Sequence, residues 1–273
     1  MKDKTDLCRR FRDLHVSGCF VIPNPWDLGS ARALERLGFQ ALATTSSGFA
    51  WSQGKPDHGV NLQETLQHLK ALSHGVRIPI NADLGAGFAT DAAAVMVNVA
   101  AAALTGIAGV SIEDGTGDPN KPLFDFQLSV ERIRAARHAL EGTGVMLTAR
   151  TEGFLLGRPD LRETIRRLTA YADAGADCLY APGIRQRGEI TGVVAAVAPK
   201  PVNVLVSGFN SHLTLAQMRD LGVRRISVGS GLALAAWGEF MRAAGAMATE
   251  GSFAALAGGA RFAEFNELFA PRD

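Results

Sequence analysis

Cysteine is scarce in this chain, and neither sign of charge is in excess. The three cysteines among 273 residues, Cys8, Cys19 and Cys178, are odd in number and irregularly spaced. That excludes a disulfide framework and a zinc site, and fits a reducing compartment. Lys and Arg number 28 against 27 Asp and Glu, a net charge of +1 with no basic cluster. Nucleic acid is therefore not an expected partner. No stretch approaches the roughly eighteen uninterrupted apolar residues of a membrane span. The start, Met1-Lys2-Asp3-Lys4-Thr5-Asp6, is charged and leads into no apolar signal segment. Together these absences predict a soluble, cytoplasmic protein without membrane partners.

What is present is apolar material in a repeating order. The chain is 47% hydrophobic and 20% charged, which supports a large core. Short β-branched runs predict strands at 19–23, 41–45, 78–82, 109–113, 145–150, 178–181, 202–206 and 226–229. Alanine- and leucine-rich amphipathic stretches follow them, near 27–37, 61–74, 90–105, 126–141, 160–174, 186–197, 212–221 and 230–248. Strict alternation predicts a parallel sheet with helical crossovers. Eight such units predict a (β/α)8 TIM-type barrel, one domain over residues 1–273. A doubly wound sheet would use fewer strands and a glycine-rich first turn, which is absent. Residues 3–16 read as an extra N-terminal helix, with Leu7, Phe11 and Leu14 on one face, placed under the barrel. Segments 252–256 and 262–269 carry large apolar residues at helical spacing. This C-terminal helix is expected to pack on its own barrel or on a neighbouring subunit.

In such a barrel the chemistry sits at the C-terminal ends of the strands. The third strand delivers Asn81 and Asp83 there, ahead of the loop Leu84-Gly85-Ala86-Gly87-Phe88. The fourth delivers Glu113 and Asp114. Hard oxygen ligands on adjacent strands predict a site for a divalent cation such as Mg²⁺. The fifth strand ends in Arg150-Thr151-Glu152. Arg150 can grip a substrate carboxylate with two hydrogen bonds, or pair with Glu113 or Glu152, and both roles are compatible. The turn Thr44–Phe49 either offers backbone N–H groups to an oxyanion or is an ordinary connection. The long segment 50–59 reads as a lid or binding loop. Within it Asp57 can reach a metal through water, and His58 is either an acid–base group or a solvated surface histidine. Asp27 reads as a helix cap.

The strand ends Thr45-Ser46-Ser47-Gly48-Phe49, Asn81-Ala82-Asp83-Leu84-Gly85-Ala86-Gly87-Phe88, Glu113-Asp114 and Ala149-Arg150-Thr151-Glu152 resemble the isocitrate lyase/phosphoenolpyruvate mutase superfamily. The likeness runs from about Pro23 to Trp237. It implies a modified (β/α)8 barrel, Mg²⁺, and small 2-oxo acid substrates whose C–C or C–P bonds are made or broken beside an enolate. It further implies that the backbone of Ser47, Gly48 and Phe49 binds the pyruvyl oxygens, and that Asp57 is the acidic loop residue. Asn81, Asp83 and Glu113 become the metal set, and Arg150 the carboxylate-binding arginine. Arg150, Asp57 and Glu113 form the candidate catalytic set, and Asn203 joins the substrate-binding one. A homo-oligomer, dimer or tetramer, with an exchanged C-terminal helix is implied as well.

Three departures narrow the chemistry. Asn81 stands where relatives carry an aspartate, so metal affinity is expected to be weaker. Residues 115–123 hold no Lys-Lys-Cys-Gly-His loop, which removes the acid used by isocitrate and methylisocitrate lyases; such groups are worth ~10²–10⁴ in rate. Pro182-Gly183 replaces the polar residues that serve phosphonate chemistry. The expected activity is a Mg²⁺-dependent lyase or decarboxylase of a small 2-oxo dicarboxylate. A 2-oxo acid binding protein with little turnover, or a phosphonopyruvate-type hydrolase or mutase, is the alternative.

Overall fold

The computed structural model describes residues 4–208 and 212–270. A first helix, α1 (Lys4–Asp13), precedes the repeat; residue 3 of the expected helix lies outside the described residues. Eight strands follow: β1 (Phe20–Ile22), β2 (Leu42–Ala43), β3 (Ile80–Asp83), β4 (Gly109–Glu113), β5 (Met146–Arg150), β6 (Cys178–Tyr180), β7 (Val202–Leu205) and β8 (Arg225–Ser227). Between and after them run α2 (Leu28–Arg36), α3 (Ser46–Ser52), α4 (Leu62–Gly75), α5 (Ala92–Ala103), α6 (Phe126–Ala139), α7 (Leu161–Asp173), α8 (Arg187–Val197), α9 (Leu215–Asp220), α10 (Gly231–Glu250) and α11 (Phe262–Phe269). All strand pairs are parallel, in the order β1-β8-β7-β6-β5-β4-β3-β2, giving the expected (β/α)8 barrel.

The ladder is continuous except between β1 and β2. There the ends are joined by one backbone hydrogen bond, Ala43 N–H to Pro23 O at 3.1 Å. Asn24 completes the closure. Its amide donates to Thr44 O at 3.0 Å, and its Oδ1 accepts from Val228 and Gly229 N–H, both at 2.9 Å. Polar atoms at a strand junction must find partners once buried, and a side-chain amide supplies both polarities.

Alternation along each strand sorts the side chains. Ala82, Val110, Ile112, Leu147, Ala149, Leu179, Val204 and Ile226 are buried in the apolar core. Their neighbours in sequence, including Asn81, Ser111, Arg150, Asn203, Arg225 and Ser227, line a central cavity inside the barrel. Below it Arg225 donates to Asn203 Oδ1 at 2.9 Å and across the barrel to Thr148 Oγ1 at 3.0 Å. His15 Nε2 lies 3.3 Å from the same guanidinium. Phe11 of α1 is fully buried, and a Cβ on Gly109 would stand 2.6 Å from its ring, so the N-terminal helix plugs the barrel floor.

Several helix starts are set by side chains that accept an otherwise orphaned N–H. Asp27 accepts from Ser30 at 2.7 Å, the capping role expected of it. Asn61 and Glu64 form a capping box on α4. At the C-terminal end α11 touches α2, and Arg36 donates to Ala270 O at 2.6 Å. Trp237, Phe240, Met241, Phe262 and Phe265 stay exposed on α10 and α11. No helix among the described residues is long and apolar enough to cross a membrane.

Candidate active site

The register of β3, β4 and β5 decides which side chains meet. Glu113 is level with Arg150, and Arg150 with Tyr180. Arg150 Nη1 lies 3.3 Å from Glu113 Oε2 and 4.0 Å from Asp83 Oδ1. Its other edge is gripped by Glu152, with Nη2 donating to Oε2 at 2.9 Å and Nε to Oε1. The guanidinium carbon stands 5.2 Å from the centre of the Tyr180 ring. Three carboxylates thus surround one guanidinium at the mouth.

This crowding alters proton affinity. Burial, followed by the charge of its carboxylate neighbours Glu152, Asp83 and Asp114, pushes Glu113 up to about 8, against the opposing pull of Arg150. Burial also raises Glu152, with Arg150 opposing. For Arg150, burial works against the charge, but Glu152 and Glu113 outweigh it and hold the proton firmly. A cation bound here would relieve the repulsion and desolvation that raise these two carboxyls, a condition under which metal displaces proton.

Asp114, next to Glu113, faces away from the mouth and builds its support. It accepts from Thr151 Oγ1 at 2.8 Å, Glu152 N–H at 2.9 Å, Arg167 Nη1 at 3.0 Å and Tyr171 Oη at 2.7 Å. The two bonds to 151 and 152 pin the segment that carries Arg150 and Glu152. Tyr171 and Arg167 come from α7, one turn apart. No local sequence pattern links them to Asp114, so sequence reasoning missed this network. It missed Arg225 for another reason: placing the last strand at 226–229 left Arg225 outside it.

The turn after β2 is a helix rather than a loop. Thr45 caps α3, its Oγ1 accepting from Gly48 N–H at 3.3 Å, and Phe49 N–H bonds to Thr45 O at 3.0 Å. Ser46 N–H donates to Asp83 Oδ2 at 3.2 Å. Of the backbone donors expected there, Gly48 and Phe49 are engaged by the helix start, and Ser47 N–H is left. The expected long loop is correspondingly shorter. Asp57 lies on its exposed part, with Oδ2 3.8 Å from His58 Nε2, outside the carboxylate cluster. Asn203 is deeper in the barrel, donating to Ser227 Oγ at 2.9 Å and accepting from Arg225.

Asn81 sits one layer below Asp83 on β3. Its Oδ1 is buried and has no hydrogen-bond partner, while its amide donates to Ala82 O at 3.3 Å. A Cβ on Gly109 would stand 2.6 Å from this oxygen, so glycine on β4 leaves it room. Among the described residues no three His, Cys, Asp or Glu side chains converge into a preformed metal cage. Asp83 and Glu113 carry carboxylates beside Arg150, and Asn81, one layer below, carries an unpaired amide oxygen. Hard oxygens of this kind suit Mg²⁺, which keeps several waters and takes few protein ligands.

A model of the phosphoenolpyruvate phosphomutase family matches residues 11–248. The chain belongs to the isocitrate lyase/phosphoenolpyruvate mutase superfamily. Within this superfamily it is 34% identical over 228 residues to an uncharacterized protein of Mycobacterium tuberculosis (strain ATCC 25618 / H37Rv), covering 81% of each chain. It is 29% identical over 231 residues to an oxaloacetate decarboxylase of Paraburkholderia xenovorans (strain LB400), covering 81% of this chain and 75% of that one. A crystal structure from Burkholderia cenocepacia J2315, provisionally described as a lyase/mutase, shares 44% identity at a TM-score of 0.94, covering 99% of this chain and 98% of that one. A phosphonopyruvate hydrolase complexed with oxalate and Mg²⁺ shares 25% identity at a TM-score of 0.82, covering 96% and 94%.

The departures from the superfamily take physical form. Thr116 Oγ1 and the bridge between Gly115 and Leu123 tie residues 115–123 into a small hairpin. Lys121 pairs at the surface with Asp125 at 2.8 Å, turned to a partner of its own. Gly183, at φ +96°, lies where a Cβ would meet Phe154 and Leu155 at 2.9 Å. A side chain at position 183 is therefore excluded by packing.

Proposed function

We propose that this protein is a Mg²⁺-dependent lyase or decarboxylase acting on a small 2-oxo dicarboxylate such as oxaloacetate. The observation that carries the reading is Arg150, held among Asp83, Glu113 and Glu152 beside a central cavity lined by neither histidine nor cysteine. Asp83 and Glu113, with Asn81 Oδ1, would hold the metal. When bound, it would supply Lewis-acid polarisation of the 2-oxo group.

The rest falls to the chain. Nη1 of Arg150 makes its loosest contacts, so this edge is open to a substrate carboxylate while Glu152 keeps the guanidinium in place. Ser47 N–H would serve as the backbone donor to the oxygen on which negative charge develops. Cleavage of the C3–C4 bond sends its electron pair toward C2 and releases CO₂, leaving an enolate. A proton taken up at C3 then gives pyruvate. No protein base is needed to start this reaction, which suits a site without the histidine and cysteine of the best-known relatives. The resemblance to an oxaloacetate decarboxylase supports the same choice.

Oxaloacetate supplied with Mg²⁺ is expected to yield pyruvate, and the yield is expected to collapse in EDTA. No pyruvate in either condition, across a panel of 2-oxo dicarboxylates, would reject turnover and favour simple 2-oxo acid binding. Phosphate release from phosphonopyruvate would favour the hydrolase reading, which the likeness to the oxalate-bound phosphonopyruvate hydrolase keeps in view. The exposed aromatic residues of α10 and α11 support a homo-oligomer in which these helices meet a second copy. Light scattering at a monomer mass would count against that arrangement.

A further inference from the structure

A second cavity of about 160 Å³ takes no part in the reaction above. It lies off the barrel axis, against α3, α4 and the loop after β3. Thr44, Thr45 and Asp83 line both this chamber and the central cavity, so the two adjoin. Phe49, Val60, Leu84 and Phe88 make it largely apolar. Ser46, His58 and Thr65 add polar groups to its wall, and one further polar group there lacks a partner. His68 Nε2 is buried and has no hydrogen-bond partner. Its ring stacks on Phe49, centroids 3.9 Å apart and planes 13° from parallel, so packing holds its orientation. Burial pushes His68 down to about 4, and the imidazole is neutral.

An unpaired polar atom buried in a protein costs about 1–3 kcal/mol, and natural folds keep few of them. Here the residue that carries the atom forms part of the wall of a chamber that opens beside Asp83. We propose that this chamber receives the group carried on C3 of the 2-oxo acid, and that the group is a short alkyl chain ending in a hydroxyl held by His68 Nε2. The inference rests on the 2-oxo acid reading of the central site.

Chemistry selects the hydroxyl. A neutral imidazole nitrogen donates or accepts according to its tautomer, and a hydroxyl satisfies either. A second carboxylate fits poorly: no Lys or Arg lines the chamber, Asp83 is part of its wall, and His58, the other imidazole there, already has the Asp57 carboxylate 3.8 Å away. Size sets the length, since an apolar cavity of roughly 150 Å³ holds a benzene-sized group. Phe49 belongs to α3, the helix that also presents Ser47, so a filled chamber bears directly on the oxyanion donor.

Calorimetric titration of the full chain with Mg²⁺ tests this, using isosteric pairs. One pair is 4-hydroxy-2-oxobutanoate against 2-oxopentanoate; the other is 5-hydroxy-2-oxopentanoate against 2-oxohexanoate. Oxalate, which reaches only the central site, is the control for that site and for folding. At one length or both, the hydroxylated acid is expected to bind at least about fivefold tighter than its isostere, as one hydrogen bond provides. His68→Phe is expected to erase that preference and leave oxalate affinity unchanged. Val60→Phe, which fills the chamber, is expected to weaken all four longer acids and spare oxalate. Equal affinities within both pairs in the wild type, or a preference that survives His68→Phe, would overturn the proposal. Failure of oxalate to bind the wild type would overturn the central-site reading, and this inference with it.

Discussion

Tyr171 on α7 donates its hydroxyl to Asp114 at the end of β4 across 2.7 Å, with both groups buried. This bond ties an outer helix to the segment that carries Arg150 and Glu152. Tyr171→Phe removes a hydrogen bond to a charged acceptor and is expected to cost about 1.5–3 kcal/mol. Asp114→Asn leaves Arg167 with only Glu163 as a counter-charge, and is expected to cost about 3 kcal/mol or more. Urea unfolding of both variants checks these values. A loss below about 0.5 kcal/mol in each would show that the network does not hold the mouth together.

Removing Asp83 tests the metal set directly. Asp83→Ala is expected to weaken Mg²⁺-dependent oxalate binding by at least about a hundredfold, more than loss of a supporting residue around a metal. Calorimetry with and without Mg²⁺ reads this. Unchanged affinity would place the site elsewhere.

Restoring the charge at Asn81 should act in the opposite direction. The buried Oδ1 has no partner and Gly109 leaves it room, so aspartate fits the same space. Asn81→Asp is expected to tighten Mg²⁺ binding in the absence of substrate. It is also expected to lower the stability of the metal-free protein, because another buried anion joins the cluster. Fluorescence-monitored melting over a Mg²⁺ series separates the two effects.

The raised proton affinity of Glu113 has a signed consequence for stability. The folded state holds this proton up to about pH 8, whereas the unfolded carboxyl releases it near 4.5. Metal-free protein should therefore lose stability as pH rises through this window, by at most about 1.4 kcal/mol per unit. His15 works the other way. Burial, then the charge of Arg225, lowers it from 6.5 to about 3, so its contribution is lost as pH falls below 6.5. Between pH 7 and 8.5 only the carboxyl effect remains of these two. Melting in EDTA should show a decline there that Glu113→Gln flattens, and His15→Gln should flatten only the acid limb. A flat profile above pH 7 in the wild type would contradict the assignment.

The barrel was legible because short apolar runs alternate with amphipathic stretches eight times, and Asp27 was legible as the cap of the first of those helices. Asp83, Glu113 and Arg150 were legible because a strand-end carboxylate or guanidinium has few structural reasons to be there. Residues 44–49 read as a turn and 50–59 as a loop, since Ser, Ser and Gly are weak helix formers; Thr45 and the Asp83 carboxylate supply the missing incentive for a helix over 46–52 from outside it. Asp57 was placed by motif spacing alone, and the fold leaves it at the surface. The partners of Asp114 and the chamber around His68 depend on residues dozens of positions apart, which only the closed barrel brings together.

Asn24 fastens the one break in the strand ladder. A ladder opens only by unzipping several bonds together, whereas a clasp made by one side chain can open locally. Amide hydrogen exchange is therefore expected to be faster at Ala43, Val228 and Gly229 than at equivalent positions of β4 and β5, and Asn24→Ala should widen the gap. Thr44 and Ser47 lie on the β2 side of that clasp, Arg150 well round the sheet from it. Asn24 also lines the central cavity, so loosening this clasp is expected to reshape the mouth while the β3–β5 ladder that carries Asp83, Glu113 and Arg150 stays paired.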